Sequence, residues 1–473
     1  MLSNVEDLRN HLQASIIFLN QFKHLTDAYI IEYFTDSHWE KLPGSWRSFL
    51  DDLEPPDLAE QLLGEGIKNG RQTSVCPLSL LCFKRCSRLF ALQRPALHCS
   101  NNATGQNKLL KHIYRKHVSP KKQHEISILA KVIEKTFLES NCSHVIDAGS
   151  GQGHLSRLLT LGYDLPVIAL EREETFLEEA RKFDVEAMNH VKKVCEKEGE
   201  LRHPPMQVPT HVHCSLPPDE GAKHFIQKLS DATRKKVGGN SADNPHFMLT
   251  GLHACGDLSA TMVRLFKESS SIKSLVSVSC CYMKLTTDSI NNDACDVTRA
   301  SQIYYPMSDY VGSIANHQLP YKARELSCHA IEDYRQRLKE NGPHLKMHCY
   351  RAVLEVLLTR QHPDLIRVGA RTVKKAYNLP FTEYVKRAFQ RLNLPPCDVT
   401  MLCSSNIEEM LNDWRHLVTY FTLSLLLAPV IESIILMDRL LYLKENGFRS
   451  EISSIFEPLL SPRCFVIIAT KES

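Results

Sequence analysis

The chain has little net charge. Its 57 Lys and Arg residues stand against 54 Asp and Glu, leaving +3 over 473 residues. No global electrostatic signal for nucleic acid follows from that balance. It also lacks an uninterrupted membrane-length apolar run. Its most apolar stretch, Tyr420 to Leu443, is broken by Pro429 and carries Glu432, Asp438 and Arg439. A spanning helix needs about 18 or more apolar residues with few charges. We therefore expect a core helix kinked at Pro429 and packed on a sheet, with membrane association through 420–443 as the minor alternative. Met1 to Asp7 is acidic early and has no apolar core, so neither a secretory nor a mitochondrial leader is expected. Sixteen cysteines without a secretory signal argue for a reducing, intracellular compartment, cytoplasmic or nuclear. The cysteines lack the short C-x₂-C knuckles of structural zinc sites: Cys76, Cys82, Cys86 and Cys99 are spaced otherwise and read as core or surface thiols. Hydrophobic content of 43% with 23% charged residues describes a globular chain, long enough for two or three domains.

What is present begins at His144-Val145-Ile146-Asp147-Ala148-Gly149-Ser150-Gly151-Gln152-Gly153. This reads as a buried strand, a glycine-rich turn and a helix. Three glycines at alternate positions let the backbone turn sharply and approach a ligand closely. The pattern is D-x-G-x-G-x-G, not the G-x-G-x-x-G of pyrophosphate sites. Asp147 would repel a pyrophosphate from helix-terminal N–H groups, whereas a cationic ligand such as S-adenosylmethionine suits it. Pro166 to Glu171 is a second apolar run ending in an acid. In a doubly wound sheet that acid lies beside the first glycine turn and can accept ribose hydroxyls. A helix-start acid favoured by the dipole is the alternative for Glu171. Asp147, Gly149, Ser150, Gly151, Gly153 and Glu171 are the candidate cofactor residues. Lys121, Lys122 and Glu125, just upstream, are placed to brace the same cofactor.

Two further apolar runs end in reactive side chains: Phe247 to Ser259, and Ser274 to Met283. Ligands in open α/β sheets bind outside the carboxyl ends of the strands, so chemistry belongs there. The candidate catalytic residues are His253, Cys255 and Asp257 after the fourth strand, and Cys280, Cys281 and Tyr282 after the fifth. His253 suits a general base. Asp257 either orients it or caps the following helix. The cysteines suit nucleophilic attack on a pyrimidine ring carbon, or serve as small residues packed beside the cofactor. Residue type also admits a metal cluster of His253, Cys255, Cys280 and Cys281, but methyl transfer requires no metal and none is assigned. No Asn-Pro-Pro-Phe/Tyr or Asp-Pro-Pro-Tyr turn follows the fourth strand, which removes the usual device for methylating an exocyclic base amine.

These pieces, with Asp27 to Glu32, Lys116 to Glu125 and Leu425-Leu426-Leu427-Ala428-Pro429, resemble the methyltransferase-like protein 25 family. The similarity is greatest to the 25B branch, also described as "ribosomal RNA adenine dimethylase domain-containing". The resemblance implies a class I S-adenosylmethionine-dependent methyltransferase fold. The Ser-Pro-Lys-Lys segment, the His-x-Cys-Gly turn and the Cys-Cys pair are more distantly similar to transfer RNA acceptor-stem 2′-O-methyltransferases. Those enzymes carry histidines after the cysteine pair, where this chain has Tyr282 and Met283.

The expected architecture is α/β, a class I (Rossmann-like) sheet with a helical N-terminal domain and a helical insertion after strand five. Four parts are expected: a helical domain over 1–115, the first part of the core over 116–286, a mostly helical insertion over 287–415, and a final helix and terminal hairpin over 416–473. Leu8, Leu12, Ile16, Leu19 and Phe22 mark one helix face, and 77–91 another helix. Residues 202–220 and 232–245 read as loops, with a third strand at Thr210 to Cys214 between them. A long helix is expected over 418–446.

RNA is the expected substrate class. Lys108, Lys111, His112, Arg115, Lys116, His117, Lys121 and Lys122 can bind phosphates, or form a solvated helix face. Tyr321 to Glu325 and His348 to Arg351 form either a substrate wall or internal salt bridges. A protein methyltransferase and a scaffold acting through partners are the rival readings, and a partner subunit remains an open expectation.

Overall fold

A computed structural model describes residues 4–64, 75–94, 110–198, 207–214, 216, 221–237, 245–287, 303–365, 367, 373 and 376–471. Lys108 and Cys99, and most of the two expected loops, lie outside the described residues.

Seven strands form one sheet: β1 (His144–Ala148), β2 (Val167–Glu171), β3 (Thr210–His213), β4 (Phe247–Ala254), β5 (Ile272–Ser279), β6 (Arg449–Ser454) and β7 (Phe465–Thr470). Their order is β3-β2-β1-β4-β5-β7-β6, with β7 antiparallel to both of its neighbours and the other pairs parallel. This is the class I methyltransferase arrangement. Val145, Ile146, Val167, Ile168, Ala169, Phe247, Met248 and Leu249 are all buried. Such continuous burial is what a parallel sheet covered on both faces requires of its strands. The order reverses between β1 and β4, so a crevice opens at the carboxyl ends of these strands. The helix Pro120–Glu139 precedes the sheet. Ser119 caps it by accepting from Lys122 N, and Pro120 occupies its first turn, where a missing N–H costs nothing.

The chain divides into two compact units, and the four-part division expected from sequence differs from both. One unit comprises residues 1–13, 93–318 and 434–473, and holds the sheet. The other comprises 14–92 and 319–433. The expected N-terminal domain and insertion are therefore not separate bodies, because their helices share a core. The helix Lys346–Gln361 explains this. It buries Cys349 and the seven successive positions Ala352 through Leu358, around its whole circumference. A helix apolar all round needs cover on every side. Ile30–Glu32 and the helix Trp414–Leu425 pack against it, while Pro55–Gln61 packs on Ile331–Glu340. Residues 303–318 stay with the sheet unit, as the Thr287–Tyr305 bridge and the Tyr305 O–H bond to His317 O illustrate.

Of the two readings of 321–325 and 348–351, the internal ion pair is present between Lys322 and Glu325. His348 packs against the Phe421 ring and its pKa is pushed down to about 3, chiefly by desolvation. Cys349 donates to Met410 O, and Lys322 lies over the Tyr29 ring. Cys349 belongs to the second unit's core.

The single expected helix over 418–446 is two helices, Trp414–Leu425 and Ala428–Glu445. Pro429 cannot donate to Leu425 O, and its ring would clash with that carbonyl. Leu426 N and Leu427 N instead close short turns onto Leu423 O and Ser424 O. Among the described residues, Trp414–Glu445 is the one helical stretch long and apolar enough to cross a membrane, and 94% of its apolar window is buried inside the protein.

Candidate active site

The glycine turn follows β1 directly. Gly149, Gly151 and Gly153 have φ of +69°, +55° and +69°, a region L side chains rarely occupy. Space is not the reason at Gly151, since an added Cβ would meet nothing within 4 Å. Conformation fixes glycine there, and the open space leaves room for a ligand. At Gly153 both reasons apply, because an added Cβ would lie 3.3 Å from Ala180 Cβ and from His211 Cε1. That neighbourhood is rigid. Buried Arg157 donates to Asp184 at 2.7 Å, and His211 Nε2 lies 2.6 Å from the other Asp184 oxygen.

Glu171 ends β2 and reaches the turn. Its Oε2 accepts from Gly151 N at 2.8 Å, while Oε1 accepts from Arg172 N and Glu173 N. Three backbone donors orient the carboxylate and leave it spare acceptor capacity. Asp147 is enclosed at the end of β1 and accepts from Ser156 Oγ at 2.6 Å. Burial pushes its pKa up to about 6, against the pull of Ser156 and the Lys122 charge. Ser150 Oγ is buried with no hydrogen-bond partner. Lys121 is exposed and lies 3.9 Å from Glu125, whereas Lys122 is half-buried and its charge acts on Asp147.

The carboxyl end of β4 carries the least expected geometry. The register against β5 shifts between Leu252 and Ala254, and His253 at the bulge has φ of +63°. A bulge re-aims a side chain, and the left-handed backbone costs roughly 1–2 kcal/mol in a non-glycine residue. His253 Nε2 lies 2.9 Å from Glu125 Oε2. Glu125 is 1% exposed, and Ser461 Oγ donates to its other oxygen at 2.7 Å. Burial alone would raise the Glu125 pKa, but His253, Ser461 and Lys121 together hold it below the usual carboxylate range. Sequence reasoning placed Glu125 near the cofactor and missed it as the partner of His253. Its position one turn along from Lys121-Lys122, on the face that meets the sheet, was the available signal.

Asp257 neither orients His253 nor caps a helix with its side chain. It is the first residue of the helix Asp257–Glu268, and its two oxygens accept from Thr286 N at 2.8 Å and Thr286 Oγ1 at 2.7 Å. Gly256 makes this approach feasible. A Cβ there would sit 2.7 Å from Lys284 O. The β4 and β5 loops are thereby held in contact, and Cys255, Cys280 and Cys281 come together. Cys255 Sγ lies 2.8 Å from Cys280 Sγ, and Cys280 lies 3.6 Å from Cys281. The shared hydrogen bond draws the Cys255 pKa down and pushes that of Cys280 up. Tyr282 is buried, with the Arg463 guanidinium over its ring at 5.8 Å, so it does not line an open site.

Ahead of this core, His112, Arg115, Lys116, His117 and Val118 line a cavity of about 480 Å³. Lys116 and His117 both pair with Glu186, and His117 stacks on Phe183.

Residues 121–288 match a family model described as "Methyltransferase domain". "Probable methyltransferase-like protein 25" of Mus musculus is 23% identical to this chain, covering 98% of it and 97% of the relative. Its Homo sapiens counterpart is likewise 23% identical over 98% and 97%. A solved structure of Coclaurine N-Methyltransferase bound to N-methylheliamine and SAH aligns over 97% of this chain and 100% of its own, at 11% identity and a TM-score of only 0.23. The chain carries a methyltransferase domain on a class I fold, and the cofactor of that domain is S-adenosylmethionine. The site's residues fit this cofactor: a left-handed glycine cradle with open space, an oriented acid at the end of β2, and the orphaned Ser150 hydroxyl.

Proposed function

We propose that this protein methylates RNA, with His253 as the base that takes the acceptor's proton. The resemblance to the 25B branch belongs to the same reading. The observation that carries it is the Glu125–His253 pair at the carboxyl end of β4, beside the glycine turn. With Nε2–H donating to Glu125, Nδ1 remains as the acceptor. Glu125 fixes the ring and stabilises the imidazolium once a proton arrives. Ser461 keeps the second Glu125 oxygen satisfied, so the carboxylate has no reason to turn away. The bound cofactor supplies an electrophilic methyl group. Glu171 and the glycine turn orient it, and the enclosed Asp147 adds a negative charge that favours a cation.

RNA is favoured by the run of basic residues Lys111, His112 and Arg115, which continues to Lys121 and Lys122 at the start of the helix that carries Glu125. Phosphates neutralised by such groups make binding salt-dependent. An intracellular compartment is part of this reading.

The test has two arms. Isothermal titration with S-adenosylmethionine should give binding that both Gly149→Arg and Glu171→Ala abolish. Small RNAs should bind with an affinity that falls with salt, and Lys111→Glu with Lys121→Glu should weaken binding and flatten the salt slope. Methyl transfer to protein but not RNA in a labelled-cofactor assay would defeat the RNA reading. No cofactor binding by folded protein would defeat the enzyme reading itself.

A further inference from the structure

Among the described residues, Cys255, Cys280 and Cys281 are the one group of three potential ligand residues whose donor atoms converge, all within 4.8 Å of one another. We propose that they form a three-thiolate zinc site whose fourth position is open to water or to a soft or borderline donor. This goes beyond the methyltransferase reading and does not depend on which acceptor is used.

The convergence is built by the fold. Cys255 follows β4, and Cys280-Cys281 follow β5. Two devices hold those loops together, the Gly256 contact with Lys284 and the paired Asp257–Thr286 hydrogen bonds. The thiols therefore face each other before any ion arrives. A tetrahedral zinc with Zn–S of about 2.3 Å sets sulfurs about 3.8 Å apart. The 3.6 Å pair already meets that spacing, and the 2.8 Å pair has to open by about 1 Å, within reach of a side-chain rotation.

Charge provides the second, independent observation. Three thiolates and one Zn²⁺ carry a net −1. Arg439 lies behind the loop, 1% exposed, with Nη1 donating to Ser279 Oγ at 2.6 Å. Its Nε and Nη2 have no partner. A buried guanidinium with two idle donors is costly unless negative charge stands nearby. Tyr282 and Asp438 act on it most, and Asp257 and Cys280 of the loop also reach it. Lys284 acts similarly on Cys255. The surroundings are thus poised for an anionic cluster.

His253, the fourth member the sequence offered, is committed through Nε2 to Glu125 and is outside the group. The site therefore has three protein ligands and one vacancy, the pattern of reactive rather than purely structural zinc centres. Cys255 is solvent-exposed, which keeps that vacancy reachable. On binding, each thiol proton still present leaves to solvent as its sulfur bonds the metal. Thiolates select zinc over magnesium or calcium, and no disulfide competes among the described cysteines.

The experiment is metal analysis of full-length protein purified under reducing conditions, followed by chelator stripping and titration with Zn²⁺ and Co²⁺. One zinc per chain is expected. Cobalt should give a thiolate charge-transfer band with tetrahedral visible bands in the wild type itself. Cys255→Ser and Cys280→Ser should each weaken zinc by about tenfold or more, while Cys82→Ser and Cys403→Ser, at exposed thiols elsewhere, should not. Reduced wild type that takes up no zinc and gives no cobalt–thiolate band would overturn the site. So would metal binding that survives both Cys255→Ser and Cys280→Ser, which would assign the ion to surface thiols. Isolation of the pair as a Cys255–Cys280 disulfide that reduction does not convert to a zinc-binding form would overturn it as well.

Discussion

Replacing Asp147 with Asn isolates one charge in the cofactor site. The carboxyl group is enclosed, and Ser156 Oγ donates a side-chain hydrogen bond to it. Burial lifts its pKa from 3.8 to about 6. The gap between those values corresponds to about 3 kcal/mol against the ionised form in the folded protein. The folded pKa lies above the unfolded one, so the native state binds more protons between about pH 4 and 6. Stability from this group is therefore greatest at low pH and declines as pH rises through about 6. Asn keeps the size and an acceptor oxygen for Ser156 but never ionises. The Asp147→Asn variant should gain on wild type as pH rises from about 4 to 7, by up to about 3 kcal/mol, and then run parallel to it. Urea unfolding of both proteins at half-unit pH steps, without cofactor, measures the difference directly. A difference that stays flat from pH 4 to 8, or that moves toward wild type as pH rises, would refute the account. The charge has a functional counterpart. A cationic cofactor prefers the ionised group, so wild-type affinity should fall as pH drops through about 6, and the variant's should not.

Three more outcomes follow from the same geometry. Gly151→Ala meets no atom but must hold φ near +55°, so it should cost about 1 kcal/mol of stability and weaken cofactor binding more than it weakens the fold; calorimetry beside thermal melting separates the two. Glu125→Ala strands the buried Ser461 hydroxyl and unmoors His253, at a cost of about 1–3 kcal/mol near pH 7. Because the Glu125 pKa is held down, that cost should fade as pH falls below the usual carboxylate range, and an unfolding series in pH tests it. Asp257→Ala removes both acceptors from Thr286 and should speed amide exchange at Thr286 while leaving β1 protected.

The legible parts of the chain were local ones. The glycine turn, Glu171 and the buried strands announce themselves within a few residues, because backbone conformation and an unbroken apolar run are written at that range. The terminal hairpin was legible for the same reason. The pairing of 14–92 with 319–433 was not, since only the all-round burial of Lys346–Gln361 demands it, and helical periodicity does not say who covers a helix. Site chemistry failed at the same range. Asp257 stands four residues from His253, and sequence proximity suggested a partnership. The bulge at His253 turns the ring toward Glu125, 128 residues away, and leaves Asp257 to Thr286.

The helix Ala428–Glu445 shows what such long-range partners accomplish. In sequence, Asp438 and Arg439 look like flaws in an apolar segment, reasons to doubt a membrane span and nothing more. In the fold each has a task in the sheet unit. Asp438 accepts from Met307 N, Ser308 N and Ser308 Oγ, at 2.7, 2.9 and 2.7 Å. Three donors compensate a carboxylate that burial would otherwise neutralise. They fasten the chain that leaves β5 back onto the helix. Arg439, one residue on, reaches Ser279 at the very end of β5. Removing a buried charge of this kind costs more than its own hydrogen bonds, because its partners are left unpaired in a dry interior. An apolar helix can carry these charges only where their partners are waiting, so their positions mark where the β5 end must lie. The cysteine cluster stands on that end, with the idle donors of Arg439 behind it.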